Sequence, residues 1–334
     1  MEILEHVALA SLTTFGVGGP ARFFVRVHTQ GELTEALAFA AEKNLKVFLL
    51  GGGSNTLFAD EGFDGLVIKV EILGVEQTEN IFVAGAGESW DALALRAVTE
   101  NLWGIENLSG IPGTVGGAVV QNIGAYGAAL SQTVVWVEAR DTRTGEIKRF
   151  TNAECAFGYR QSIFKQAERY VVLRAAFQLA ATPAPNLSYK DLALLFADRA
   201  PGLAEIREGV IVIRKSKFPD LGELGTAGSF FENPVVLRAQ AEMLVQKYPG
   251  MPVFALPESP DVKIPIAWLL DHRHGVLDLR DVRVGGAHIF ENHALVIVAQ
   301  KNTKSSDVRE LAHIIQRKVK DVCAIEIKPE VHVV

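Results

Sequence analysis

Two glycine-rich stretches offer the backbone groups that bind anionic ligands. Gly51-Gly52-Gly53-Ser54-Asn55 follows the apolar run 46–50 directly, and residues 107–137 contain no charged side chain. Consecutive glycines let a ligand approach the backbone, so that several N–H groups can point at one phosphate. Two such stretches on separate strand–turn units predict a dinucleotide with two recognition zones, such as FAD. A purely structural glycine loop remains the alternative for each stretch.

The uncharged stretch is also long enough to cross a bilayer. However, it contains Pro112, six glycines and side-chain amides such as that of Asn122. A membrane-spanning helix rarely combines that density of glycine and proline with unpaired amides. We therefore predict a buried cradle lined by backbone, and no membrane partner.

Four side chains further along the chain could carry out chemistry on an anionic substrate. Arg160 can grip a carboxylate through two hydrogen bonds, and Lys217 suits a phosphate as a point charge. Ser229 lies in a glycine-containing turn, and Glu330 follows a proline. Three of them have a plainer interpretation: Arg160 pairs with a surface acid, Lys217 ends a helix as a solvated cation, and Ser229 is a turn residue. Spacing alone does not decide between these interpretations.

Composition limits the class of protein. The chain has 334 residues, a net charge of −6 and no basic tract with interleaved aromatic residues, so we expect two or three domains and no nucleic-acid partner. Cys155 and Cys323 are far apart in sequence, and no H-E-x-x-H motif occurs, so no disulfide framework or metal site is expected. The first residues are acidic where a signal peptide would be basic, which predicts a cytoplasmic protein.

The elements that must position these residues begin with a β-α-β unit. Periodicity predicts a strand at 21–27, a helix at 32–42 and a buried strand at 46–50 that ends in the first glycine turn. Near the other end, Ser306 is predicted to cap the last helix, and 324–327 reads as a strand.

Six motifs occur in order along nearly the whole chain. They are GGGSN at 51–55, IPGTVGGAVVQNIGAYG at 111–127, FGYRQSIF at 157–164, LSYKDL at 187–192, AGSFFENP at 227–234 and PEV at 329–331. Any one of them would be weak alone, but their joint occurrence is highly specific. The chain resembles the UDP-N-acetylenolpyruvoylglucosamine reductase family, in the subclass that has a tyrosine loop.

The resemblance implies the fold and the domain organisation. Members are α+β proteins with a two-part FAD-binding domain of the vanillyl-alcohol-oxidase type, followed by an α/β substrate-binding domain. Carried over to this chain, the two FAD-binding subdomains are 1–70 and 71–202, with the tyrosine loop at about 183–200. The substrate-binding domain is 203–334, and a monomer is expected.

The resemblance also implies the site residues. Arg160, Ser229 and Glu330 match the catalytic trio. Residues expected to bind the noncovalent FAD are Gly51, Gly52, Gly53, Ser54, Asn55, Pro112, Gly113, Thr114, Gly116, Gly117, Asn122, Ile123, Gly124, Ala125, Tyr126, Gly127 and Tyr159. Residues expected to bind the substrate are Tyr189, Lys217, Asn233 and His293. No metal is expected.

The implied reaction reduces UDP-N-acetylglucosamine enolpyruvate to UDP-N-acetylmuramate for peptidoglycan synthesis, with NADPH as co-substrate. Hydride reaches the vinyl CH2 carbon from the flavin N5, and negative charge builds on the neighbouring carbon and its carboxylate. Arg160 and a protonated Glu330 would stabilise that charge, and Ser229 would protonate the carbon. Because this carbon is strongly basic, the serine needs no activating base.

The chain departs from the family pattern at three places, none within the catalytic trio. Lys328 stands where many relatives carry an acid, His293 where a glutamine often lies, and Gly117-Ala118 where some relatives have two serines. Two alternative functions remain open: a flavin oxidase or dehydrogenase with another substrate, and a non-catalytic nucleotide-sugar binding module. An alcohol oxidase would not require Lys217, Ser229 and Glu330 together, and the complete trio argues against a silent module.

Overall fold

The computed structural model describes residues 1–167, 169–256, 259–274 and 276–334, and it divides into two units. The first unit comprises Met1–Val7, Ala21–Gly53 and Asp64–Lys215, and the second comprises Ala8–Pro20, Ser54–Phe63 and Ser216–Val334. The second unit therefore takes two short segments from the first 63 residues of the chain. The domain limits drawn at residues 70 and 202 stay a prediction.

The helices and strands of the described residues alternate irregularly along the chain. The α-helices are α1 (Gln30–Glu42), α2 (Trp90–Thr99), α3 (Val115–Gln121), α4 (Ile163–Ala167), α5 (Lys190–Leu195), α6 (Leu203–Lys217), α7 (Arg238–Lys247), α8 (Ile266–Leu270) and α9 (Ser305–Cys323). The strands are β1 (Ile3–Ala8), β2 (Pro20–Val27), β3 (Lys46–Leu50), β4 (Thr56–Leu57), β5 (Phe63–Val70), β6 (Val75–Thr78), β7 (Ile81–Gly85), β8 (Gly124–Ala125), β9 (Ala128–Ala129), β10 (Val134–Asp141), β11 (Ile147–Thr151), β12 (Tyr170–Gln178), β13 (Val235–Val236), β14 (Phe254–Ala255), β15 (Val262–Lys263), β16 (Arg283–Val284), β17 (Ala287–Ile289), β18 (Ile297–Ala299) and β19 (His332–Val333). Across the described ranges, no helix has both the length and the apolar character that crossing a bilayer requires.

Two sheets form the frame of the first unit. One has the strand order β1-β2-β5-β3, in which β3 and β5 run parallel from the pair Lys46–Gly65 to the pair Leu50–Lys69. The other has the order β11-β10-β12-β7-β6 and is antiparallel throughout. The predicted β-α-β unit is confirmed as β2, α1 and β3, and the Thr29 side chain caps α1 by accepting from the Glu32 amide.

Trp90 ties the start of the uncharged stretch to the core of the first unit. Its side chain is fully buried and meets Phe177 edge-on, with ring centroids 5.8 Å apart. Its indole N–H donates to the Leu108 carbonyl at 2.9 Å. Because the buried donor has an acceptor, the large apolar surface of the ring contributes to stability without an unpaired polar group.

Small sheets and α9 surround the core of the second unit. Strands β13-β15-β14 and β16-β17-β18 form antiparallel sheets, and β19 runs parallel to β4. The apolar residues of α9 recur at helical spacing and bury one face of it. They are Val308, Leu311, Ala312, Ile315 and Val319.

Two local predictions near the end of the chain are wrong. Helix α9 begins at Ser305, and its cap is the Asp60 carboxylate, which accepts from the Ser305 amide at 2.6 Å and the Ser306 amide at 2.9 Å. Residues 324–327 form no strand, since Ile325 and Ile327 enter the core without pairing with a neighbouring strand. Their alternating pattern reflects burial rather than sheet formation.

We predict that Asp60→Ala lowers the free energy of unfolding by about 1–2 kcal/mol, the usual cost of losing a helix cap. Burial alone would raise the pKa of Asp60, but the hydrogen bonds from Ser306 and Ser305 outweigh it and lower that pKa. The capping contribution is therefore present at neutral pH and is lost as the pH falls through the lowered pKa. Urea unfolding at neutral and acid pH measures it.

Asp60→Asn is the matched control, because an asparagine oxygen still accepts an amide hydrogen bond at a helix start. Asp60→Asn should retain more stability than Asp60→Ala. Equal unfolding midpoints for wild type and Asp60→Ala would contradict the capping role.

Candidate functional site

The first glycine turn lies directly against the second glycine-rich stretch. A Cβ on Gly51 would meet the Thr114 hydroxyl at 2.7 Å, and a Cβ on Gly52 would meet the Gly113 Cα at 2.7 Å. Real side chains do not tolerate such distances, so both positions require glycine. The two stretches that were predicted to bind one cofactor are therefore neighbours through their Gly51–Gly52 and Gly113–Thr114 segments.

Short helix α3 occupies part of the uncharged stretch and uses several of its backbone donors. The Val115 amide donates to the Glu88 carbonyl at 2.9 Å, and the Gly116 amide donates to the Ala86 carbonyl at 2.8 Å. The open amide expected of a glycine in this stretch is therefore not available at Gly116, whose N–H is bonded within the protein. We therefore expect contacts between this stretch and a cofactor at its exposed and partly exposed residues, inside α3 and beside it.

Asn122 ends α3 in the left-handed conformation, with φ 43° and ψ 63°. Its side-chain amide donates to the Gly158 carbonyl at 2.8 Å, and its side-chain oxygen accepts from the Ser131 amide at 3.1 Å. The side chain thus holds the loop after α3 onto the motif that carries Arg160. We expect its replacement to disturb both segments.

Arg160 projects from a tight turn with a fixed base. Gly158 and Gln161 exchange backbone hydrogen bonds across the turn, and Arg160 adopts φ 56°. The Ser162 hydroxyl donates to the Val120 carbonyl at 2.7 Å and anchors the turn to α3. A Cβ on Gly124 would lie 3.2 Å from Nη1 of Arg160. The guanidinium group therefore lies beside the backbone of the QNIGAYG segment.

The tyrosine loop packs on the same segment of the first unit. The Tyr189 and Tyr126 rings meet edge-to-face with centroids 5.0 Å apart. The Asn107 side chain donates to the Tyr126 carbonyl at 2.7 Å and to the Asn186 carbonyl at 2.9 Å, so it fastens the loop. Burial lowers the pKa of the Arg214 guanidinium, and a hydrogen bond with Tyr126 opposes that shift.

The first-unit residues fit an FAD. The outer face of the glycine-rich stretch is uncharged and partly exposed, which suits the apolar ring system of a flavin. The adjoining Gly51–Gly53 turn packs against Gly113–Thr114 without intervening side chains, and glycine backbone of this kind can bind phosphate. The partly or fully exposed positions along the stretch include Ile111, Pro112, Gly113, Thr114, Gly117, Ile123, Gly124, Ala125 and Gly127.

Ser229 and Glu330 lie on adjoining extended segments of the second unit. The Phe230 amide donates to the Leu295 carbonyl at 2.8 Å, and the Phe230 carbonyl accepts from the Glu330 amide at 2.8 Å. The Phe230 ring is 1% exposed and packs edge-on against Phe15. Buried rings and backbone bonds on both sides therefore fix the segment from Ser229 onward and bring the two predicted catalytic residues together.

Lys217 and His293 form a second polar group in this unit. Burial and the nearby Lys217 lower the pKa of His293 to about 4. The Phe218 ring stacks on the imidazole at 5.7 Å, with an interplanar angle of 17°. The Leu295 amide donates to Nδ1 of His293 at 3.2 Å, so the neutral ring carries its proton on Nε2. His293 is therefore a neutral hydrogen-bond donor with a fixed tautomer.

Other predicted residues have partners that the motif pattern did not indicate. The Asn233 side-chain oxygen accepts from the Ile266 amide at 3.0 Å, at the start of α8.

The GGGSN motif is divided, with Gly51–Gly53 in the first unit and Ser54–Asn55 in the second. The motifs did not indicate that Asn107 fastens the tyrosine loop or that Arg214 contacts Tyr126. The available signals were a side-chain amide in an uncharged stretch for Asn107 and a cation on a helix for Arg214. Over the described ranges, no cluster of His, Cys, Asp and Glu could hold a metal ion.

Arg160, Tyr126 and Tyr189 belong to the first unit, whereas Ser229 and Glu330 belong to the second. In the first unit, Arg160 lies beside the QNIGAYG segment and Tyr189 packs on it. In the second unit, Ser229 and Glu330 lie on adjoining segments, whereas Lys217 and His293 form a separate polar group.

We predict that the His293 imidazole titrates with a midpoint of about 4, well below its usual value of 6.5. It takes up its second proton only as the pH falls through that midpoint, so it stays neutral at physiological pH. NMR of the imidazole resonances, assigned with His293→Gln, measures the midpoint. Lys217→Met should raise it because a nearby positive charge is removed.

Lys320→Met is the control, since Lys320 pairs with Glu326 at 2.8 Å. It should leave the His293 midpoint unchanged. A titration midpoint of His293 near 6.5 in the wild-type protein would contradict its burial next to Lys217.

The chain matches two family models and is similar to bacterial enzymes over its full length. Residues 21–151 match the FAD binding domain, and residues 220–334 match the C-terminal domain of UDP-N-acetylenolpyruvoylglucosamine reductase. It is 37% identical to the UDP-N-acetylenolpyruvoylglucosamine reductase of Flavobacterium johnsoniae, with 100% of each chain covered. It is 36% identical to the reductase of Ralstonia nicotianae, with 99% of each covered, and 38% identical to that of Neisseria gonorrhoeae, with 91% and 89% covered.

A solved structure has the same fold. The UDP-N-acetylenolpyruvylglucosamine reductase of Thermus caldophilus aligns with a TM-score of 0.70 and 26% identity, covering 99% of this chain and 98% of that one. The predicted α+β class, with an FAD-binding domain followed by the C-terminal domain of this reductase, is thereby confirmed. The chain belongs to the UDP-N-acetylenolpyruvoylglucosamine reductase family, a family of FAD-containing oxidoreductases.

Proposed function

We propose that the chain reduces the enolpyruvyl group of UDP-N-acetylglucosamine enolpyruvate to give UDP-N-acetylmuramate, with NADPH as the reductant. The observation that carries this proposal is full-length similarity to reductases named for that substrate, combined with an intact Arg160, Ser229 and Glu330. We expect the chain to act as a monomer in the cytoplasm. Its two cysteines, Cys155 and Cys323, are buried free thiols, which suits a reducing compartment.

FAD, when bound, supplies a two-electron carrier that accepts hydride from NADPH and passes hydride to the vinyl CH2 carbon of the substrate. The residues proposed to hold it include Gly51, Gly52 and Gly53 of the first turn and the exposed or partly exposed Pro112, Gly113, Thr114, Gly117, Ile123, Gly124, Ala125 and Gly127. Tyr159, whose ring lies 5.2 Å from the Arg160 guanidinium carbon, borders the same segment. The close Gly51–Gly52 approach to residues 113–114 supports this assignment.

Arg160 and Glu330 are proposed to stabilise the charge that develops on the substrate. Hydride addition to the vinyl CH2 leaves an electron pair on the neighbouring carbon, delocalised into the attached carboxylate. A guanidinium group can hold both carboxylate oxygens, and the Glu330 carboxyl can supply a further hydrogen bond to one of them. The rigid base of the Arg160 turn supports this role, because charge stabilisation requires donors held in place before the reaction.

Ser229 is proposed to complete the reduction by protonating the carbon. The serine O–H bond breaks, a C–H bond forms, and the resulting alkoxide recovers a proton from solvent. Ser229 directly precedes Phe230, whose carbonyl accepts from the Glu330 amide, and this proximity supports the role. Lys217 is proposed to bind a phosphate of the nucleotide, with Tyr189, Asn233 and the neutral His293 contributing further contacts to the substrate.

We predict that Ser229→Ala leaves flavin reduction by NADPH within about twofold of wild type and slows flavin reoxidation by the enolpyruvate by about 10²–10⁴-fold. This is the range usually lost with a positioned proton donor. Anaerobic stopped-flow absorbance resolves the two half-reactions.

Ser229→Cys is the matched variant, since a thiol of similar size can also donate a proton. It should recover part of the lost reoxidation rate. Reoxidation of Ser229→Ala at the wild-type rate would contradict the proton-donor assignment.

A further inference from the structure

Both backbone polar groups of Glu330 are hydrogen-bonded, one on each side of its Cα. The amide donates to the Phe230 carbonyl at 2.8 Å, and the carbonyl accepts from Nδ2 of Asn55 at 3.0 Å. The amide belongs to the peptide plane before Glu330 and the carbonyl to the plane after it. Together the two bonds fix both planes, and therefore the direction in which the side chain leaves the backbone.

Asn55 is itself held at the start of strand β4. Its carbonyl accepts from the His332 amide at 2.9 Å, and Thr56–Leu57 then pair in parallel with His332–Val333. The Asn55 side chain thus extends the β4–β19 pairing by one hydrogen bond, which is made to the backbone of Glu330. It joins positions that are 275 residues apart in sequence.

We propose that Asn55 is a positioning residue for Glu330. This inference rests on the proposed function, in which the Glu330 carboxyl donates to the charged intermediate. A glutamate side chain has three rotatable bonds. The position of its carboxyl group therefore depends on a fixed backbone conformation at the same residue. Misplacement of a reacting group by about 1 Å can cost about 100-fold in rate. The role differs from the cofactor contact that the GGGSN motif implies for Asn55.

Two substitutions remove the Asn55 donor in different ways. Asn55→Asp keeps the size but replaces the amide by a carboxylate that cannot donate, and Asn55→Ala removes the group without adding charge. Gln316→Glu is the matched control, because Nε2 of Gln316 donates to the Ile327 carbonyl at 2.9 Å. Both bonds are partly buried side-chain amide contacts to the same C-terminal segment, and only the Asn55 bond is made to Glu330.

The expected result separates the two half-reactions. In both Asn55 variants, FAD affinity and flavin reduction by NADPH should stay within about twofold of wild type, while reoxidation by the enolpyruvate slows about 10–100-fold. In a Glu330→Gln background the same substitutions should add less than about twofold, because the two residues act through one group. Gln316→Glu should leave reoxidation unchanged.

A readout independent of turnover is hydrogen exchange of the segment that contains the Glu330 amide. Exchange should be faster in the Asn55 variants than in wild type or Gln316→Glu, since one of the two backbone hydrogen bonds of Glu330 is lost. Unchanged exchange and unchanged reoxidation in both Asn55 variants would overturn the proposal.

Two further outcomes would also overturn it, for different reasons. Weaker FAD binding, greater for Asn55→Asp than for Asn55→Ala, would assign the side chain to the cofactor phosphates instead. Additive losses with Glu330→Gln would show that Asn55 acts independently of that carboxyl. If Glu330→Gln itself leaves reoxidation unchanged, the proposed function of Glu330 fails, and hydrogen exchange alone decides whether Asn55 holds that backbone.

Discussion

The chemistry proposed for the second unit depends on the hydrogen bond between the Phe230 carbonyl and the Glu330 amide. This bond joins the segment that begins at Ser229 to the segment that carries the glutamate. The Phe230 ring is buried, so the segment cannot slide without exposing an aromatic side chain to water. The backbone at Ser229 and Glu330, the residues proposed as proton donor and charge-stabilising group, is thus held by the core of the unit.

The first unit meets a different constraint, the close approach of two glycine-rich segments. Gly51 and Gly52 have no room for a Cβ because Gly113 and Thr114 lie against them. The absence of charge from 107–137 leaves a partly exposed surface that can face an apolar ring system. Arg160 lies beside that surface on a turn closed by two backbone hydrogen bonds, so its guanidinium group is held next to the QNIGAYG segment.

Sequence patterns predicted the secondary-structure elements that are determined by neighbouring residues in the chain. The β-α-β unit followed from an apolar helix stripe, the Thr29 cap and a continuous apolar strand, and it was confirmed. Helix α3 was not predicted, because seven residues with two glycines give too short and too weak a helical pattern. The cap of α9 was assigned to Ser306, whereas its acceptor is Asp60, which no local pattern could reveal.

In the candidate site, sequence motifs could predict which residues matter but not where tertiary structure places them. The motifs named Ser229 and Glu330, and the structure brings them onto adjoining segments, although the segments lie about 100 residues apart in sequence. The hydrogen bond from Asn55 to Glu330 and the fixed tautomer of His293 could not be predicted, since both arise from backbone groups supplied by tertiary structure. Their chemical roles stay predictions.

The most direct test of the account is an anaerobic visible spectrum of the purified protein, with NADPH added first and UDP-N-acetylglucosamine enolpyruvate second. The account predicts a flavin absorption band that bleaches with NADPH and returns with the enolpyruvate. Bleaching without return would contradict the assigned substrate and favour a flavin enzyme that acts on another compound. A protein that shows no flavin band even after incubation with FAD would contradict the account as a whole.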